Sequence, residues 1–163
     1  MQNEFDPIAI LRALDKHNVK YIVIGGFASW IQGAPIVTTD IDVVYEPGKE
    51  NVTALVKALT EMQAVYRHQL GKEIRPNQEG LASTTAAGHH LFSTRSGDLD
   101  ALRTVADLGY RDLKEDVILF DIGGLEVQIA TLEKIIFLKT KAGRPKDIAA
   151  LPTLRAALKK RSE

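Results

Sequence analysis

Tyr21-Ile22-Val23-Ile24-Gly25-Gly26-Phe27, with thirteen residues between Gly26 and a following Asp40-Ile41-Asp42-Val43-Val44, decides how the rest of this chain is read. Tyr21–Ile24 is a short apolar run, mostly β-branched, that stops at two glycines, which is the pattern of a buried strand. Residues 27–32 have room for a short helix before Gly33-Ala34-Pro35 breaks it. Asp40–Tyr45 then reads as a second strand. Its alternation sends Asp40 and Asp42 to one face and Ile41 and Val43 to the other.

Each half of this stretch has two readings. A double glycine after a strand forms a tight turn, or it lets a phosphate approach backbone N–H groups that no Cβ shields. An Asp-x-Asp pair is an acidic, solvent-facing edge, or it is a hard-metal site, because two carboxylates projecting together repel each other without a cation.

Outward from this stretch the pattern stays mixed. Residues 7–17 carry Ile8, Ile10, Leu11 and Leu14 at helical spacing, with Asp6 placed to cap and Pro7 in the first turn. Residues 51–62 repeat Val52, Leu55, Val56 and Leu59 as an amphipathic helix. The polar stretch 67–88 predicts loops and one short helix. Strands are expected at His89–Thr94 and 98–102, with Ser96-Gly97 as the turn, and again at Val117–Ile122 and 125–129, joined by Gly123-Gly124. Thr131 is placed to cap a helix running to Ala142. A last helix, 146–160, is expected to bury Ile148, Leu151, Leu154 and Leu158, with Pro152 as a kink. His89 and His90 fall on opposite strand faces and suit packing or surface roles rather than one shared ion. Trp30 is expected in the core, and Arg95 and Arg103 flank the strand at 98–102. The order of elements is that of an α/β or α+β core with a helical tail.

Composition narrows the function classes. The chain has 163 residues, 45% of them hydrophobic and 26% charged, which suits one globular domain rather than a disordered or fibrous chain. The expected organisation is a core over 1–130 and a helical segment over 131–163 that packs on it. No cysteine is present, so disulfide frameworks and thiolate metal sites are excluded. The start lacks the basic then apolar order of a signal peptide and no run is long enough to span a membrane, so a cytoplasmic location is expected, with no membrane partner. The net charge is +0, yet residues 131–163 hold nine basic and three acidic side chains, leaving an acidic body and a basic tail. Such a division can hold cations in one place and a polyanion in another, although a solvated surface helix has the same composition.

Taken together, Ile24-Gly25-Gly26, the spacer, and Asp40-Ile41-Asp42-Val43 resemble the signature of the nucleotidyltransferase superfamily of polymerase-beta-like fold. The resemblance implies a mixed sheet flanked by helices, with Gly25 and Gly26 cradling the phosphates of an NTP such as ATP. It also implies that Asp40 and Asp42 ligate Mg²⁺, and that a third carboxylate comes from a later strand. Gly97-Asp98-Leu99-Asp100-Ala101-Leu102 offers two. Asp100, deeper in the apolar run, is favoured as metal ligand and catalytic group, and Asp98, beside the turn, as a surface or supporting group. Two Mg²⁺ ions about 4 Å apart, or Mn²⁺ in their place, need such acidic oxygens. Thr39, next to the first aspartate, is a further candidate.

The tail carries a second, more local resemblance, through Lys139 and Gly143-Arg144-Pro145-Lys146-Asp147. It is similar to the C-terminal region of small nucleotidyltransferases related to the AbiEii abortive-infection toxins and to some antibiotic nucleotidyltransferases. This implies that Lys139 contacts triphosphate with Arg144 and Lys146 as helpers, while Asp147 caps the last helix or pairs with a base. The implied reaction moves a nucleoside monophosphate to an acceptor hydroxyl on an RNA end such as tRNA, on a protein, or on a small hydroxylated molecule. A non-catalytic nucleotide-binding module with a cognate toxin or antitoxin partner is the alternative.

Overall fold

The computed structural model describes residues 4–84 and 88–162. Residues 1–3, at the start read above for a signal, and residues 85–87, in the stretch expected to be loop, lie outside the described residues.

Helix α1, Pro7–Lys16, starts where Asp6 accepts a hydrogen bond from the Ala9 N–H at 3.1 Å, and it buries Ile10, Leu11 and Leu14. Strand β1, Tyr21–Ile24, is buried along its whole length. Helix α2, Gly25–Ile31, begins at the glycines themselves, two residues before Phe27, so Gly25 and Gly26 form its first turn rather than a linker to it. Strand β2, Asp40–Tyr45, has the expected bounds, and helix α3, Lys49–Glu61, buries Val52, Leu55 and Leu59.

A two-residue strand β3, Val65–Tyr66, and helix α4, Gln78–Ala82, occupy the next stretch. Strand β3 carries no recognisable strand pattern of its own and exists because it pairs with β4, His89–Thr94. Strand β5, Gly97–Leu102, pairs back so that Gly97 faces Thr94. The turn is therefore Arg95-Ser96, and Gly97, with φ at 110°, belongs to the strand.

Next come a small hairpin, β6 (Thr104–Val105) and β7 (Leu108–Gly109), then helix α5 (Tyr110–Leu113) and a single 3₁₀ turn. Strands β8 (Val117–Ile122) and β9 (Leu125–Ala130) flank the Gly123-Gly124 turn. Helix α6 is Leu132–Ala142, with Thr131 accepting from the Lys134 N–H at 3.1 Å, and helix α7 is Pro145–Arg161.

The main sheet has seven strands in the order β3-β4-β5-β2-β1-β9-β8. It is mixed: β2 runs parallel to β5 and β1 parallel to β9, while the remaining neighbours are antiparallel. The parallel register sets Asp40 beside Asp98 and Asp42 beside Asp100. Registered neighbours project on the same face about 4.8 Å apart, so this one pairing assembles the acidic cluster.

Gln32, buried at the end of α2, holds the tail in place. Its Nε2 donates to the Ala130 carbonyl at 2.8 Å, and its Oε1 accepts from the Leu132 N–H at 3.1 Å and from Arg161 Nη1 at 3.0 Å. Helix α7 buries Leu151 and Leu154 as expected, but Ile148 is 50% exposed. The position that turns inward in that first turn is Asp147, at 1% exposure, because it is anchored by ion pairs. Trp30 is also displaced from its expected place: it lies 52% exposed on α2, its ring tilted against that of Phe27. No helix among the described residues is long and apolar enough to cross a membrane.

Candidate active site

Asp40 and Asp42 leave the same face of β2 while Ile41 and Val43 are wholly buried on the other. Asp100 arrives beside Asp42 from β5, and one carboxylate oxygen of each of the three aspartates lies within 4.8 Å of the other two. Burial, reinforced by the charges of Asp40 and Asp100, pushes the Asp42 carboxyl up to about 8. Asp40 is also raised, first by burial and then by Asp100, while its hydrogen bond with Thr38 pulls the other way. Three carboxylate oxygens gathered this closely are a donor set that hard divalent cations fit.

Gly25 is glycine for two reasons. Its φ is 75°, and a Cβ there would run into the Asp42 carboxylate. Gly26 sits above Thr38, whose Oγ1 is 3.3 Å from Asp40 Oδ1. It is thus Thr38, and not the exposed Thr39, that braces the first aspartate.

These groups form the floor of a cleft of about 470 Å³. Lys139, Arg144, Lys146 and Asp147 line it from α6 and the start of α7. Asp147 Oδ2 accepts from Arg144 Nε at 2.7 Å and from the Arg144 backbone N–H at 3.2 Å, and Oδ1 lies 3.5 Å from Lys139 Nζ. Asp147 therefore caps α7 and pairs with bases at once. Its carboxyl is held below the usual range, chiefly by the Arg144 side chain. The cleft is also lined by His89, Leu91, Leu102 and Val105; His89, Leu91 and Leu102 come from β4 and β5, which lie across β2 and β1 from β9, the strand that leads into α6.

The site also contains a residue that the sequence pattern did not single out. Arg67, just after β3, donates from Nη2 to Asp100 Oδ1 and from Nη1 to the Phe92 carbonyl, both at 2.6 Å, and its Nε lies 3.8 Å from Asp98 Oδ2. Asp98 is within 3.3 Å of Ser93 Oγ and stands apart from the cluster. The structure thus brings Asp100, not Asp98, to Asp40 and Asp42. No local signal marks Arg67, because its role depends on the pairing of β3 with β4.

No protein-family model matches the sequence, and no curated protein matches it. Solved structures do. A presumed nucleotidyltransferase of Thermotoga maritima superposes with a TM-score of 0.56 at 18% identity, covering 97% of each chain. The chain has the nucleotidyltransferase fold. The lincosamide antibiotic adenylyltransferase LnuA, solved with lincomycin, matches with a TM-score of 0.60 at 11% identity, over 95% of this chain and 99% of that one. ANT(2'')-Ia, solved with adenylyl-2''-tobramycin, matches with a TM-score of 0.55 at 19% identity over 96% of each.

Proposed function

We propose that this chain is a metal-dependent nucleotidyltransferase that moves a nucleoside monophosphate from an NTP to an acceptor hydroxyl and releases pyrophosphate. The carrying observation is the triad of Asp40, Asp42 and Asp100 on the floor of a cleft whose one wall is basic. In this reading the acceptor oxygen bonds to the α-phosphorus as the bond from that phosphorus to the β-phosphate's bridging oxygen breaks. Pyrophosphate leaves toward Lys139, Arg144 and Lys146, and Asp100 takes the hydroxyl proton. Gly25 and Gly26 leave the backbone open to the triphosphate. Asp40, Asp42 and Asp100 would hold two Mg²⁺ ions, or Mn²⁺, which would supply charge neutralisation and Lewis acidity at the hydroxyl.

ATP is the proposed donor, since two of the matched structures are named adenylyltransferase or carry an adenylylated product. Acceptors on RNA, protein and small molecules all share the required hydroxyl. The lincomycin and tobramycin in those structures favour a small molecule.

The test is incubation with each α-labelled NTP, Mg²⁺ and, in separate lanes, cellular RNA, protein alone and hydroxylated small molecules. Label should move to one acceptor class and vanish with Asp42→Asn. Full transfer by Asp40→Ala or Asp42→Ala would sink the reading.

A further inference from the structure

The cations of the cleft come from α6 and the start of α7, which follow β9, whereas β4 and β5, across β1 and β2 from β9 in the sheet, bring His89, Leu91 and Leu102 to the cleft, joined by Val105. His89, Leu91 and Leu102 belong to the sheet itself: Leu91 is registered against Asp100 and His89 against Leu102, so the strip continues the surface that carries the third aspartate, with Val105 added from the β6–β7 hairpin. None of the four carries a fixed charge. Among the described residues, the carboxylates that line the cleft are Asp40, Asp42, Asp100 and Asp147, and each has a prior engagement. The first three face one another, and Asp147 is held by Arg144 and Lys139.

Displacement at phosphorus proceeds in line, so the attacking oxygen enters on the side opposite the departing pyrophosphate. If the pyrophosphate leaves toward Lys139 and Arg144, the acceptor comes in across Leu91 and Leu102. We infer that the acceptor is a small hydroxyl compound whose face next to the reacting oxygen is apolar and uncharged, seated on Leu91, Leu102 and Val105. This rests on the transfer reading above and narrows its acceptor. Seating a polycation there strips water from ammonium groups with no carboxylate among the four side chains to receive them, and an RNA end brings phosphates to four side chains none of which is a fixed cation. An aryl or alkyl face instead gains from covering the leucines. His89, exposed at the rim, offers one polar handle.

The experiment measures binding of phenyl β-D-glucoside, tobramycin and a CCA-ended RNA oligonucleotide to the full chain by calorimetry, with and without Mg²⁺ and a non-hydrolysable ATP analogue. The glucoside should bind at millimolar concentration, at least about tenfold more tightly than tobramycin, and together with the analogue. Leu91→Asn and, on the separate hairpin, Val105→Glu should each weaken the glucoside by about tenfold, with analogue affinity unchanged in the hairpin variant. Four results overturn the inference: no glucoside binding, tighter binding of tobramycin or RNA, exclusion of the glucoside by the analogue, or indifference to both substitutions. Failure of the analogue to bind with Mg²⁺ instead overturns the transfer reading, and the glucoside titration without analogue still reports on the strip.

Discussion

Arg67 Nη2 lies 2.6 Å from Asp100 Oδ1, joining a residue just after the two-residue strand β3 to the aspartate on β5 that completes the acidic cluster. Both side chains are mostly shielded, at 14% and 15% exposure, and the same guanidinium also holds the Phe92 carbonyl. The pair supplies a counter-charge beside the cluster and fixes the direction of Asp100. Replacing Arg67 by Met leaves a carboxylate and a carbonyl without their donor, at a cost of about 2–4 kcal/mol in urea unfolding. Arg67→Lys restores the charge but not the fork that reaches both acceptors. It should recover part of the stability and leave turnover reduced about tenfold or more, with the NTP KM little changed.

Asp42 makes the stability of the metal-free protein depend on pH. Its carboxyl is raised from 3.8 to about 8 in the fold, so between those values the native state binds more protons than the unfolded chain. Stability therefore falls as pH rises through that window and is fully restored only below it. Asp42→Asn removes the effect: above pH 8 the variant should be more stable than the parent by at least about 2 kcal/mol, and the difference should disappear below pH 4. Mg²⁺ must displace the same proton, so its apparent affinity should climb to about pH 8 and then level off. Melting curves across pH, with and without Mg²⁺, check both statements.

Gly25→Ala confronts a φ of 75° and the Asp42 carboxylate together. The backbone strain alone is worth about 1–3 kcal/mol, and relief requires Asp42 to move. The variant should melt lower and lose Mg²⁺ stabilisation, whereas Gly124→Ala, at a positive φ with open space around it, should show only the backbone cost.

Asp147→Ala releases the cap of α7 and frees Arg144 and Lys139 from their anchor. Loss of the cap costs about 1–2 kcal/mol at neutral pH. Since the Asp147 carboxyl is lowered in the fold, its contribution is present above the ordinary carboxylate range and is lost as pH falls through the lowered value. The NTP KM should rise more than turnover falls, measured by steady-state kinetics.

The pattern of alternating residues made several features legible before any tertiary contact was known. A strand's side chains alternate whatever it pairs with, so Asp40 and Asp42 on one face followed from six residues of sequence, and the Thr131 cap followed from one. The terminal helix shows where such reasoning stops. Ile148 has the periodicity of a buried position and is exposed, while Asp147 is buried because Arg144 and Lys139 neutralise it. Trp30 likewise looked like core by residue type, yet the packed side of α2 is taken by Phe27, Ala28 and Ser29.

The sequence by itself determined the strand, Gly-Gly, helix, strand order and the acidic pair, because backbone alternation and glycine's steric freedom act within a few residues. The tertiary structure decided which carboxylate joins that pair, that Arg67 braces it, and that His89, Leu91, Leu102 and Val105 line the same cleft as the cations. Those outcomes depend on the register of β2 with β5 and of β3 with β4, and register is set by the packing of whole strands rather than by the residues it brings together.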